Sequence, residues 1–109
     1  MNFADYQREA RKTAQYPTLG HPIVYPALGL SDEAGEVAGK VKKAMRDDGM
    51  IITAEREYEI IKELGDVLWY LSAVCDELGT NLEWVAMQNI LKLESRKQRG
   101  VIGGNGDNR

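Results

Sequence analysis

Two pairs of acidic residues with the same three-residue spacing, Glu33 with Glu36 and Glu63 with Asp66, are the positions in this chain best suited to chemistry. On a helix that spacing raises one carboxylate about 4.5 Å above the other. Each pair rides beside an apolar seam: Leu30, Ala34, Val37 and Val41 for the first, Ile60, Leu64, Val67, Leu71, Val74 and Leu78 for the second. Every one of the four acids directly precedes a seam residue, so each borders the core instead of opposing it. A glutamate at such a border is half desolvated, which is costly unless a cation or hydrogen-bond donors compensate.

Both pairs have the same helical phase. If their helices pack antiparallel through the seams, four carboxylates line one cleft. Like charges that close repel strongly at reduced dielectric, so either their pKa values rise or hard cations enter. Magnesium is the natural ion, with Mn²⁺ as a substitute. It prefers carboxylate oxygens and keeps waters that a phosphate substrate can displace.

These residues require a scaffold of helices, and the rest of the sequence supplies one. Phe3, Tyr6, Ala10 and Thr13 recur at helical spacing behind an Asn2 cap, predicting a short helix from Asn2 to Gln15. A loop with Pro17, Gly20, His21 and Pro22 follows, and the lone His21 is expected to meet solvent or backbone. A second helix is expected from Pro26 to Arg46 or Asp47, ending near Gly49. A third, capped by Thr53, spans Ala54 to Leu78 and stops at Gly79. Thr80 and Glu83 have capping-box spacing for a fourth helix, from Asn81 to Gln98, closed by Gly100. The expected organisation is one all-α, four-helix bundle-like domain over 1–109. It comprises an N-terminal helix and loop (1–25), core helices (26–99) and a flexible, glycine-rich C-terminal tail (100–109).

Asn89 falls within the seam of the fourth helix, with Lys92 and Arg96 along its border. A buried amide at that place either satisfies a neighbouring carbonyl or orients a ligand. In the tail, Val101 and Ile102 offer an anchor, and Arg109 is a possible phosphate clamp. Gly29, Gly35 and Gly39 lie inside the second helix, where close backbone packing is the expected reason for each. Trp69 and Trp84 project away from their seams, and exposed tryptophans mark interfaces; a homodimer or homotetramer is expected.

Composition excludes several classes. A net charge of −3 and an isoelectric point near 5.2 give no footprint for a polynucleotide or an anionic membrane. One cysteine, Cys75, permits no disulfide within the chain and suits a reducing compartment. The start of the sequence lacks the pattern of a signal peptide, so a cytoplasmic location is the expectation.

The segments Gly29-Leu30-Ser31-Asp32-Glu33-Ala34-Gly35-Glu36 and Glu63-Leu64-Gly65-Asp66-Val67-Leu68-Trp69-Tyr70 resemble the signatures of the MazG-like all-α nucleoside triphosphate pyrophosphohydrolases, and Asn89 with Lys92 resembles a further family feature. The resemblance implies hydrolysis of a nucleoside triphosphate to the monophosphate and pyrophosphate, with Mg²⁺ on Glu33, Glu36, Glu63 and Asp66. Those four acids are then the catalytic set, one of them also taking a proton from the attacking water. Asn89, Lys92, Arg96 and Tyr70 become substrate-binding residues. Three alternatives stand beside this reading. A di-iron carboxylate bundle lacks its Glu-x-x-His motifs. A non-catalytic helical interaction module accounts for the seams, and a hydrolase restricted to dUTP or a damaged nucleotide uses the same motifs.

Overall fold

A computed structural model of residues 1–109 shows four helices and no strands: α1 (Phe3–Arg11), α2 (Val24–Asp47), α3 (Ala54–Glu77) and α4 (Leu82–Gln98). The architecture is all-α and bundle-like. No helix is long and apolar enough to cross a membrane.

The termini follow from the caps. Asn2 Oδ1 accepts from the Asp5 amide at 2.8 Å, and Thr53 Oγ1 accepts from the Arg56 amide at 3.1 Å, so α1 and α3 begin where the sequence places them. Three boundaries differ. α1 stops at Arg11, because the Thr13 hydroxyl turns back on the Ala10 carbonyl at 2.7 Å and the backbone tightens to i→i−3 bonds over Lys12 to Ala14. α2 starts two residues before Pro26, which needs no donor in a first turn. α4 is capped by Asn81, whose Oδ1 accepts from the Trp84 amide at 2.8 Å, and not by a Thr80 capping box. Left-handed glycines terminate helices as expected, with φ of 67° at Gly49, 69° at Gly79 and 71° at Gly100. In the loop after α1, His21 Nδ1 accepts from the Ile23 amide, the expected backbone partner.

The main packing is the long antiparallel hairpin of α2 on α3, joined by the short segment 48–53, where Arg56 bonds Asp48 and Glu59. α1 lies on α3 and α4. α4 touches α1 and α3 but makes no contact with α2. One buried polar side chain ties this together: Gln7 donates to Asp76 Oδ1 at 2.7 Å and to the Thr80 carbonyl at 3.1 Å, while its Oε1 accepts from the Leu82 amide at 2.9 Å. Gln7 therefore satisfies a free amide at the start of α4 from a different helix. Cys75 is buried, and burial first, then the charge of Asp76, raises its thiol pKa.

The tail, expected to be flexible, is folded back on α4. Arg109 donates to the carbonyls of Val101, Ile102, Gly103 and Gly106, so this guanidinium is occupied in the tail's own turns and is not presented as a phosphate clamp. Arg99 in turn donates to the Arg109 carbonyl.

Replacing Gln7 with Ala strands the Leu82 amide and leaves the Thr80 carbonyl without its donor. The expected loss is about 1–3 kcal/mol, which lowers the midpoint of a circular-dichroism melt by several degrees. Gln7→Glu should be no better, since it sets a carboxylate against Asp76; an unchanged midpoint in both variants would show that this cap carries no stability.

Candidate metal centre

Packing α2 against α3 brings Glu33, Glu63 and Asp66 together, with one carboxylate oxygen from each within 4.8 Å of the others. Glu33 and Glu63 are half-buried and Asp66 is exposed. Glu36 is not part of this group. Its side chain is exposed, and only Glu33 of the α2 pair reaches the carboxylates of α3. The sequence expectation of four converging carboxylates is thus met by three.

The electrostatic consequence appears at Glu33. Its carboxyl is held above the usual carboxylate range, first by burial and then by the charges of Asp66, Glu63 and Asp32. An all-oxygen donor set, no histidine or thiol in the group, and mutual repulsion that a positive ion relieves all fit a hard divalent cation.

Beside the carboxylates lies a cavity of about 340 Å³ lined by Thr13, Glu33, Asp66, Trp69 and Tyr70. Its wall is aromatic. Trp69 and Tyr70 meet edge to face with centroids 5.0 Å apart, Tyr16 meets Trp69 at 6.3 Å, and Tyr16 stacks on Tyr25 at 5.9 Å. Trp69 Nε1 donates to Thr13 Oγ1 at 2.8 Å, which corrects its reading as a free interface residue. Tyr16 is fixed from the other side by Glu77 and Arg11: its hydroxyl donates to Glu77 Oε1, and Arg11 donates to both. That bond from Tyr16, followed by Arg11, lowers the Glu77 pKa.

Tyr70 stands against the backbone of α2. A Cβ added at Gly29 would lie 2.2 Å from Tyr70 Cε1, so the ring has its place only because position 29 has no side chain. Close packing explains Gly29 alone; Gly35 and Gly39 have open space where a Cβ would go. Burial, then Tyr25, Glu33 and Asp32, raises the Tyr70 pKa.

The structure does not bring α4's residues to this centre. Asn89 is exposed, not buried in a seam, and with Trp84, Val85, Gln88 and Lys92 it lines a separate cavity of about 420 Å³ built from α4 alone. Lys92 Nζ donates to Asp107 Oδ1 at 2.8 Å. Buried Arg96 donates through Nη2 to the Asp107 carbonyl at 2.6 Å and to Oδ1 at 3.1 Å. Both bonds lower the Asp107 pKa, Lys92 first. Thr13, Tyr16, Gln7 and Trp69 were missed as a supporting set because each joins segments more than fifty residues apart, and no local spacing records such a pairing.

A family model described as "MazG nucleotide pyrophosphohydrolase domain" matches residues 26–101. The chain is also 46% identical to the "Gene 37 protein" of Mycobacterium phage L5, over 95% of this chain and 96% of that protein. No solved structure matches.

Two outcomes follow from the geometry. Gly29→Ala must displace Tyr70, with an expected loss of about 1–3 kcal/mol from overpacking, whereas Gly35→Ala should be neutral or stabilising by up to about 1 kcal/mol; equal melting midpoints for the two would contradict the assigned contact. The Glu33 carboxyl is raised on folding, so the folded protein holds more protons than the unfolded chain. Its contribution is present below the usual carboxylate range and is lost as pH rises through the folded value. Without metal, stability should therefore decline as pH rises through that window, and Glu33→Gln should flatten the decline in a series of melts.

Proposed function

This chain belongs to the MazG nucleotide pyrophosphohydrolase family, and on that premise we propose that it hydrolyses a nucleoside triphosphate to the nucleoside monophosphate and pyrophosphate, using Mg²⁺ held by Glu33, Glu63 and Asp66. Glu36 is the fourth acidic position of the pattern and stands one turn from the group on the same helix. The observation that carries the reading is the convergence of three carboxylate oxygens within 4.8 Å at the edge of an aromatic-walled cavity.

The bound ion would neutralise phosphate charge and lower the pKa of the attacking water. The chain's own residues do the rest. Glu33 and Glu63 are half-buried at the seam border and all three acids are carried by packed helices, so little reorganisation accompanies the reaction. One of them accepts the proton as the water oxygen joins a phosphorus beside the α–β bridge. The bridging P–O bond breaks, and monophosphate and pyrophosphate separate. No covalent intermediate with a side chain is needed. Trp69 and Tyr70 supply an apolar face beside the carboxylates on which a base can stack. Asn89 and Lys92, to which the family resemblance gives the phosphates, stand on α4 apart from the carboxylates, and Lys92 and Arg96 are both bonded to Asp107 of the tail.

A panel of ribo- and deoxyribonucleoside triphosphates with Mg²⁺, including dUTP and scored for monophosphate and pyrophosphate, tests the activity. Release of orthophosphate instead, or no turnover on any member, would count against the reading. Glu63→Gln and Asp66→Asn should each cut turnover by at least about a hundredfold, in the range of losing one major electrostatic group, while the helical signal persists. Mg²⁺ at a hundredfold over Kd should add about 2.7 kcal/mol to stability. An interaction module without a metal site predicts no specific shift of the melt at matched ionic strength, so the same titration separates the two.

A further inference from the structure

The C-terminal tail is held to α4 by polar contacts. None of residues 101–109 is buried, and Ile102 is 53% exposed, so apolar packing contributes little to its place. Its turns are closed from within: Arg109 donates to four tail carbonyls, and Gly104 and Gly106 take left-handed backbone, with φ of 101° and 88°. Toward α4 the tail makes two attachments. Arg99 donates to the Arg109 carbonyl, and Lys92 and Arg96 converge on Asp107. A segment secured by exposed polar contacts, with no buried side chain, opens at a small fraction of the global stability.

A single oxygen lies at the centre of the second attachment. Asp107 Oδ1 accepts from Lys92 Nζ at 2.8 Å and from Arg96 Nη2 at 3.1 Å, and Nη2 also holds the Asp107 carbonyl at 2.6 Å. Burial divides the partners. The Arg96 side chain is 7% exposed and that of Lys92 39%, whereas that of Asp107 is 75% exposed. Arg96 is also short of acceptors, since its buried Nε meets none in the chain. A buried guanidinium with a spare donor, beside a lysine, has capacity for more acceptor oxygen than one carboxylate oxygen supplies. The fixed half of this arrangement is α4, and the replaceable half is the tail.

A phosphate group matches the fixed half better than the tail does. It carries up to about two negative charges and three acceptor oxygens, and arginine takes it in a fork. Phosphate and Asp107 also exclude one another, because a phosphate oxygen within bonding distance of Lys92 stands beside the Asp107 carboxylate, and like charges at that separation repel. We propose that Lys92 and Arg96 form a phosphate-binding site that the tail keeps closed, with the Asp107 carboxylate as its internal occupant, and that a polyphosphate opens the tail by displacing it. The tail then sets the affinity, since a ligand that binds only the open form is weakened by the fraction of chains that are open. Neither cation lines the cavity at the carboxylates, so within one chain this exchange is separate from the metal centre. The choice of phosphate as the anion rests on the triphosphate reading; closure by Asp107 rests on the contacts alone.

The test uses the full chain without metal, with inorganic pyrophosphate as the probe. In ¹⁵N NMR, pyrophosphate should shift the amides of residues 103–108 and lower their heteronuclear NOEs toward those of a mobile segment, while sodium chloride at matched ionic strength leaves them in place. Asp107→Asn keeps the size of the side chain and removes its charge. By calorimetry it should bind pyrophosphate about tenfold more tightly than the wild type, inside the usual range of coupling free energies, and Lys92→Gln in the same background should cancel the gain. Tail amides that respond equally to chloride would reduce the effect to screening and overturn the site. Equal or weaker binding by Asp107→Asn would overturn the closure and leave Asp107 as a support for Lys92. Pyrophosphate that frees the tail of a protein with no turnover on any triphosphate would sink the proposed activity and leave this site standing; turnover with a tail that pyrophosphate never moves would do the reverse.

Discussion

Repulsion among Glu33, Glu63 and Asp66 is the interaction on which the rest of this structure depends. One carboxylate oxygen of each lies within 4.8 Å of the others at a seam border, an arrangement that opposes folding, and burial first, then the charges of Asp66 and Glu63, raises the Glu33 pKa. The hairpin contact must hold them together against that repulsion. That demand explains why the α2–α3 contact is the most extensive in the chain, and why the acids border the seam instead of standing clear of it. Full solvation would have dissipated the repulsion.

A second requirement is a rigid wall beside the charges. Tyr70 is held by the bare backbone at Gly29, Trp69 by Thr13, and Tyr16 by Glu77 and Arg11. Each aromatic ring therefore has a polar or steric stop that fixes its orientation, and the polar stops come from α1, the turn that follows it and the far end of α3. α1 thus acts at a distance from the carboxylates. Through Gln7 it also sets the start of α4, so the short helix couples the site's wall to the position of the fourth helix.

Much of this was legible in the sequence where the physics is local. Helix number, the Asn2 and Thr53 caps and the glycine stops followed from capping chemistry and periodicity, and the family followed from two acidic motifs in phase. Convergence of Glu33 with Glu63 and Asp66 followed from shared phase, whereas Glu36, with the same spacing on α2, stands outside the group, so that phase alone does not say which member of a pair reaches across. The contacts of the tail were illegible for a different reason. Composition registers glycine content, whereas what holds the tail is Arg109 capping four carbonyls and Arg96 bonding Asp107, neither of which has a spacing rule. The fixing of Trp69 by Thr13 was likewise hidden by sequence distance.

The fourth helix makes the deeper point about what periodicity reports. Its seam of Val85, Ile90 and Leu93 has the spacing of a buried face, yet in one chain those residues stand exposed. A hydrophobic pattern records the surface from which water is excluded in the assembled molecule, and it is indifferent to whether the covering residues come from the same chain. Taken as a property of a single chain, α4's pattern conflicts with its structure. The seam residues Val85, Ile90 and Leu93 thus carry the spacing of a buried face without the cover of one, and Lys92 on the same helix is bonded to Asp107 of the tail and stands apart from the cavity at the carboxylates.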